Sequence, residues 1–154
     1  MIKSLVDSAA IVADVKAQTK EAVLKELLAA AQDAGVLAKK AVTPLGKKLL
    51  EREAIGSTGF GNGVAVPHGK HDGVERPLLV LARHRSGLDW KAIDGRPVHI
   101  VFFLLSPSDD PETHLQCLRW ISTLARNADF RRFLLDAKDA AAMRDLLREM
   151  LPPA

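Results

Sequence analysis

Apolar positions recur at helical spacing first between Thr19 and Ala34, where Val23, Leu24, Leu27, Leu28 and Ala31 share one face. Thr19 is a fitting N-cap and Gly35 a stop, so the pattern predicts a helix between them. The residues before it, 2–15, read as a lead-in with one short strand, Ile11 to Val15. Thr43-Pro44 predicts the start of a second helix with proline at its first helical position. Leu45, Leu49 and Leu50 form its buried side and Gly56 ends it. Two apolar runs, Leu78 to Arg83 and Val98 to Leu105, lack helical period and read as strands buried on both faces. Asp94-Gly95 marks a turn between them. Asp110-Pro111 then signals a long helix, with Leu115, Leu118, Ile121 and Ala125 as its buried face. A shorter helix over Phe130 to Leu135 and an amphipathic one over Asp139 to Met150 complete the chain.

Helices, then strands, then helices, without repeat or composition break, predict one domain over residues 1–154. The fold class expected is α/β, a mixed sheet of about five strands flanked by helices on both faces. The chain of 154 residues is long enough for a real core. Hydrophobic residues make up 47% and charged residues 27%, as in ordinary globular domains. With 22 Lys plus Arg against 19 Asp plus Glu, the formal charge is only +3. The basic residues are scattered, there is no Tyr, and the five Phe and two Trp do not interleave with a basic stripe. A nucleic-acid partner is therefore not expected. The single Cys117 excludes an internal disulfide. No apolar run reaches the roughly 18 residues of a membrane span. Asp7 and Asp14 interrupt the N-terminal apolar stretch, so it is not a signal peptide. A cytoplasmic setting is the expectation.

The chemistry concentrates in Arg52 to His68, REAIGSTGFGNGVAVPH. A charged helix end leads into a glycine loop, whose backbone amides can approach an anion without obstruction from Cβ atoms. A short strand, Val64 to Val66, then reaches Pro67, which fixes the backbone before His68. Asn62 stands where a Walker A loop needs lysine, and the loop precedes a strand, so neither nucleotide motif is met. Ser57 and Thr58 read as turn-forming hydroxyls. The polar tract Gly69 to Pro77 reads as a loop.

A neutral imidazole is a good nucleophile near pH 7, provided one nitrogen is unprotonated and the other is held by a hydrogen bond. His68 meets that description as well as it meets that of a surface histidine after a tight turn. A phosphoryl group would bring about −1.5 to −2 charges and three acceptor oxygens. Arginine is the best bidentate partner for it, and Arg52 lies across the loop. His114 sits one turn into the helix that starts at Pro111, on the face of Leu118, Ile121 and Ala125. It could donate to a phosphoryl oxygen, or be a half-buried histidine satisfied by a backbone carbonyl. His71, His84 and His99 do not complete any compact zinc spacing with these, so no metal is expected. Cys117, three residues after His114, reads as a buried structural thiol.

The stretch R-E-x-x-x-S-T-G-x-G-x-G-V-A-V-P-H-G from Arg52 resembles the signature of phosphotransferase-system enzyme IIA domains of the fructose/mannitol class, which includes the nitrogen-regulatory IIA proteins. The resemblance continues through Ile93 to Leu105 and through E-T-H-L-x-x-L at Glu112 to Leu118. It implies a mixed sheet flanked by helices and a phosphotransferase with no metal or organic cofactor. It implies His68 as the phosphoryl acceptor through Nε2, Arg52 as the catalytic arginine, and His114 as a stabiliser that is not itself phosphorylated. The implied donor is a phosphocarrier protein of the HPr or NPr type. The implied acceptor is a IIB domain in sugar uptake, or regulatory target proteins in the nitrogen branch. The standalone chain and the S-T-G-x-G-x-G loop favour the nitrogen branch. A non-catalytic regulatory binding module is the alternative of another class. It has no need of Arg52, His68 and His114 together.

Overall fold

The computed structural model describes residues 1–153. Six strands form one sheet: β1 (Ala10–Val12), β2 (Gly59–Gly61), β3 (Val64–Ala65), β4 (His68–Lys70), β5 (Leu78–Leu88) and β6 (Val98–Ser106). Six helices cover it: α1 (Ile2–Asp7), α2 (Lys20–Asp33), α3 (Lys39–Ile55), α4 (Pro111–Arg126), α5 (Ala128–Asp136) and α6 (Ala140–Glu149). The architecture is the expected single α/β domain with a mixed sheet, one strand richer than the sequence pattern indicates.

The sheet order is β1-β5-β6-β3-β2, with β4 also on β6. β5 and β6 pair antiparallel from Leu78 opposite Leu105 to Arg83 opposite Ile100. Along the other edge of β6, β3 and β4 follow one another, both parallel to it. Between them Pro67, which has no N–H to give a ladder, still offers its carbonyl to the Leu104 amide at 3.0 Å. Proline thus divides one strand into two and leaves His68 in register with Leu104.

Alternate residues of β5 and β6 face opposite layers, as the two-residue period of a strand requires. Val80, Ala82, Val101, Phe103 and Leu105 pack with α2 and α3. Leu79, Leu81, Ile100, Phe102 and Leu104 pack with α1, α4, α5 and α6. The predicted face of α2 is buried, its Thr19 side chain caps Ala22 N, and Gly35 follows at φ +76.

Five expectations need correction. Gly69 and Lys70, expected in a loop, belong to β4 because they pair with Leu105 and Ser106. Residues 2–7 form a helix, α1, anchored by buried Leu5 and Val6; it is too short to show a helical period. The first strand is Ala10–Val12, not Ile11 to Val15, since its ladder to β5 is only three residues long. Helix α3 begins at Lys39, so Pro44 lies inside it. The carbonyl that Pro44 leaves without a helical partner belongs to Lys40, and both residues are exposed, so it is open to solvent. Leu115 is 42% exposed. Neighbouring helical positions are about 100° apart, so with His114 turned inward Leu115 turns out.

The glycine loop contains β2, held against the β5–β6 connection. A Cβ on Gly59 would lie 2.6 Å from the Ala92 Cβ and 2.7 Å from its Cα. We expect Gly59→Ala to lower stability by about 1–3 kcal/mol, read as a drop in the denaturant midpoint. An unchanged midpoint would show that the loop can move away from Ala92 at no cost.

Candidate active site

β4 has β6 on one side and no strand on the other. On that open side α3, from one helical layer, and the start of α4, from the other, approach His68. Arg52 stands on the last turn of α3, and His114 on the first turns of α4. Two cavities of about 220 and 210 Å³ flank His68, and Arg52 lines both. The first is walled by Thr58, Phe60, Leu118 and Ser122. The second is lined by Lys48, Lys70 and His114, with no carboxylate on its wall. The structure therefore brings together the three residues singled out from the sequence, and adds two lysines to them.

The orientation of each ring follows from one hydrogen bond. His68 Nδ1 lies 2.7 Å from the Val66 carbonyl oxygen. A carbonyl only accepts, so Nδ1 carries the proton and Nε2 of the neutral ring holds its lone pair. His68 is half-buried, neither sealed in hydrocarbon nor free in solvent. His114 Nδ1 lies 2.7 Å from Ser106 Oγ, at the end of β6. This hydroxyl, rather than a backbone carbonyl, is what satisfies it. The two imidazoles are 5.6 Å apart between centroids and tilted by 45°.

The Arg52 guanidinium donates to the Gly56 carbonyl at 2.6 Å, which folds it back over the glycine loop. Lys48 Nζ donates to the Lys70 carbonyl. Asp110 caps α4 by accepting from the Thr113 amide at 3.2 Å, with Pro111 in the first turn as predicted. Cys117 is buried, and burial, with a smaller effect of Asp110, pushes its thiol up to about 11. It is not a nucleophile at neutral pH.

Burial, and then the charges of His68 and Lys70, push His114 down to about 4. The ring is neutral at pH 7. A lowered histidine pKa means that protons bind the unfolded chain more tightly, so stability is full above about 6.5 and falls as pH drops toward 4. Burying this neutral ring costs the fold up to about 3 kcal/mol at acid pH. His114→Gln should flatten the fall in Tm between pH 6.5 and 4. An equally steep fall in that variant would assign the acid sensitivity elsewhere.

Glu53 carries no expectation from the sequence, and that for Thr58 needs correction. Thr58 is not a solvated turn residue: its hydroxyl is buried and donates to Glu53, and the Trp90 indole donates to it at 3.2 Å. The adjacency of Glu53 to Arg52 was the only local signal. The partners come from segments that meet only in the fold.

The sequence and the fold are both shared with known proteins. The family model described as "Phosphoenolpyruvate-dependent sugar phosphotransferase system, EIIA 2" matches residues 4–150, and the chain belongs to that family. It is 37% identical over 153 residues to a nitrogen regulatory protein of Bradyrhizobium diazoefficiens, covering 99% of this chain and 97% of that one. It is 32% identical over 136 residues to the fructose-specific EIIABC component of Bacillus subtilis, covering 88% of this chain and 21% of that longer one. The fold superposes on the crystal structure of nitrogen regulatory protein IIA-Ntr from Neisseria meningitidis with a TM-score of 0.80 at 31% identity, covering 95% of this chain and 98% of that one. Among the described residues no helix is long and apolar enough to cross a membrane.

Proposed function

We propose that the chain carries a phosphoryl group on His68 Nε2, taken from a phosphohistidine of an HPr- or NPr-type phosphocarrier, within one EIIA domain spanning residues 1–154. One observation carries this reading: the 2.7 Å bond from Nδ1 to the Val66 carbonyl leaves Nε2 as the free nitrogen, between two cavities that Arg52 lines. In the transfer, the Nε2 lone pair forms a bond to phosphorus while the donor's phosphorus–nitrogen bond breaks. The donor imidazole leaves with that electron pair. One phosphorus–nitrogen bond replaces another, so the protein's task is positioning and charge neutralisation.

Arg52 supplies a bidentate fork to the phosphoryl oxygens. Lys48 and Lys70 make the second cavity positive. His114, neutral and with the Ser106 hydroxyl at Nδ1, offers an Nε2–H donor without competing for phosphorus. The negative charge of the phosphoryl group favours protonation of its neighbour, so the His114 pKa should rise when His68 is phosphorylated. A pH titration of the ring resonances in the two states reads this. An unmoved His114 would place the phosphoryl away from it.

The acceptors are regulatory target proteins, and the phosphate switches their binding by changing the charge beside exposed Phe60 and half-buried Leu118. The end-to-end match to a nitrogen regulatory protein supports this branch. Donation to a fructose- or mannitol-type IIB domain is the second reading, supported by the match to a fructose-specific EIIABC component. Incubation with phosphorylated carriers from each branch should place one acid-labile, base-stable phosphate on the chain, faster from the nitrogen-branch carrier. Faster labelling from the sugar-branch carrier would favour the second reading, and none from either would remove the carrier function.

A further inference from the structure

Three donors converge on the carboxylate of Glu53, whose side chain is only 5% exposed. Lys20 Nζ reaches Oε2 at 2.9 Å from α2, the Thr58 amide reaches the same oxygen at 3.2 Å, and the Thr58 hydroxyl donates to Oε1. The Trp90 indole N–H donates in turn to the Thr58 hydroxyl at 3.2 Å, and the Lys20 ammonium lies 5.1 Å from the Trp90 ring centroid. Three stretches of chain, α2, residues 53–58 and the β5–β6 connection, thus meet in one network beside Arg52.

The network does not end at Thr58. Its carbonyl accepts from the Val66 amide at 3.0 Å, and the Val66 carbonyl accepts from His68 Nδ1 at 2.7 Å. An unbroken series therefore runs from Glu53 through the Thr58 and Val66 peptides to the imidazole. Arg52, the preceding residue of α3, holds the other end of the same loop through the Gly56 carbonyl.

We infer that Glu53, set by Lys20 and acting through Thr58 and Val66, is a positioning residue that fixes the tautomer and aim of His68. This rests on His68 being the phosphoryl acceptor. Without the carboxylate, the Thr58 peptide loses its tether and the Val66 carbonyl is no longer held under Nδ1. The ring then samples the tautomer with its proton on Nε2, which cannot attack phosphorus.

Glu53→Gln tests this at constant shape. An amide nitrogen cannot accept, so in either orientation it faces a donor that the carboxylate satisfied. Two readouts separate positioning from mere support of the fold. Long-range nitrogen–proton NMR spectra of the His68 ring should show Nδ1 protonated in the wild-type neutral ring and a mixture of tautomers in Glu53→Gln. Single-turnover transfer from a phosphorylated phosphocarrier should slow about tenfold, with the half-saturating carrier concentration unchanged. Should Glu53→Gln fail to fold, Thr58→Val removes the bridging hydroxyl at similar volume and is read by the same two signals. A folded variant with the wild-type tautomer and rate overturns the inference while leaving His68 as acceptor. Label persisting on His68→Ala would instead overturn the reading on which it rests.

Discussion

His68→Ala takes up no phosphate from a phosphorylated carrier, where the wild-type chain takes up one. No other side chain at the site is able to substitute. His114 is 6% exposed, and with Ser106 Oγ donating to Nδ1 its Nε2 carries the proton of the neutral ring and has no lone pair to offer phosphorus. The Cys117 thiol is buried and pushed up to about 11. The backbone of residue 68 keeps its pairing to Leu104, and the lost ring is half-buried, so the variant should fold with a stability change within about 1 kcal/mol. Intact-mass measurement before and after incubation checks uptake, and a thermal melt checks the fold. A mass gain equal to one phosphoryl group in folded His68→Ala would show that another residue is the acceptor.

Arg52→Ala comes next in size. Arg52 lines both cavities beside His68 and is, among the described residues, the only arginine to do so. Removing a preorganised donor from a site where charge is transferred slows reactions by about 10²–10³-fold, and we expect that loss in the single-turnover rate. Arg52→Lys keeps a point charge but not the planar fork, so it should recover only part of the rate. Arg52's bond to the Gly56 carbonyl is exposed, so its loss should cost the fold only about 1 kcal/mol. Stopped-flow mixing of carrier and variant measures the rate. Transfer within a few-fold of wild type would remove Arg52 from the mechanism.

Elements with local stop and start chemistry were legible in the sequence. Thr19 and Gly35 bracket α2, and Asp110-Pro111 opens α4, because caps act on neighbours a few residues away. The two long strands were legible from their apolar runs. β4 was not, since His68-Gly69-Lys70 has no alternation and becomes a strand only by pairing with Leu104 to Ser106. Nor was the start of α3, where an interior proline is tolerated because its orphaned carbonyl faces water. Arg52 and His68 meet because the stretch between them folds as a unit, and His114 joins them from the first turns of α4. The Lys20, Glu53, Thr58 and Trp90 network was invisible, since it depends on α2 arriving at the Glu53 carboxylate and the β5–β6 connection at the Thr58 hydroxyl.

The central claim is that phosphorus bonds to one particular nitrogen. Phosphorus–nitrogen coupling in the phosphorylated, nitrogen-15-labelled chain measures this directly. The account predicts a coupling to Nε2 of His68, with Nδ1 still protonated against the Val66 carbonyl. A coupling to Nδ1 of His68, or to any nitrogen of His114, would contradict it.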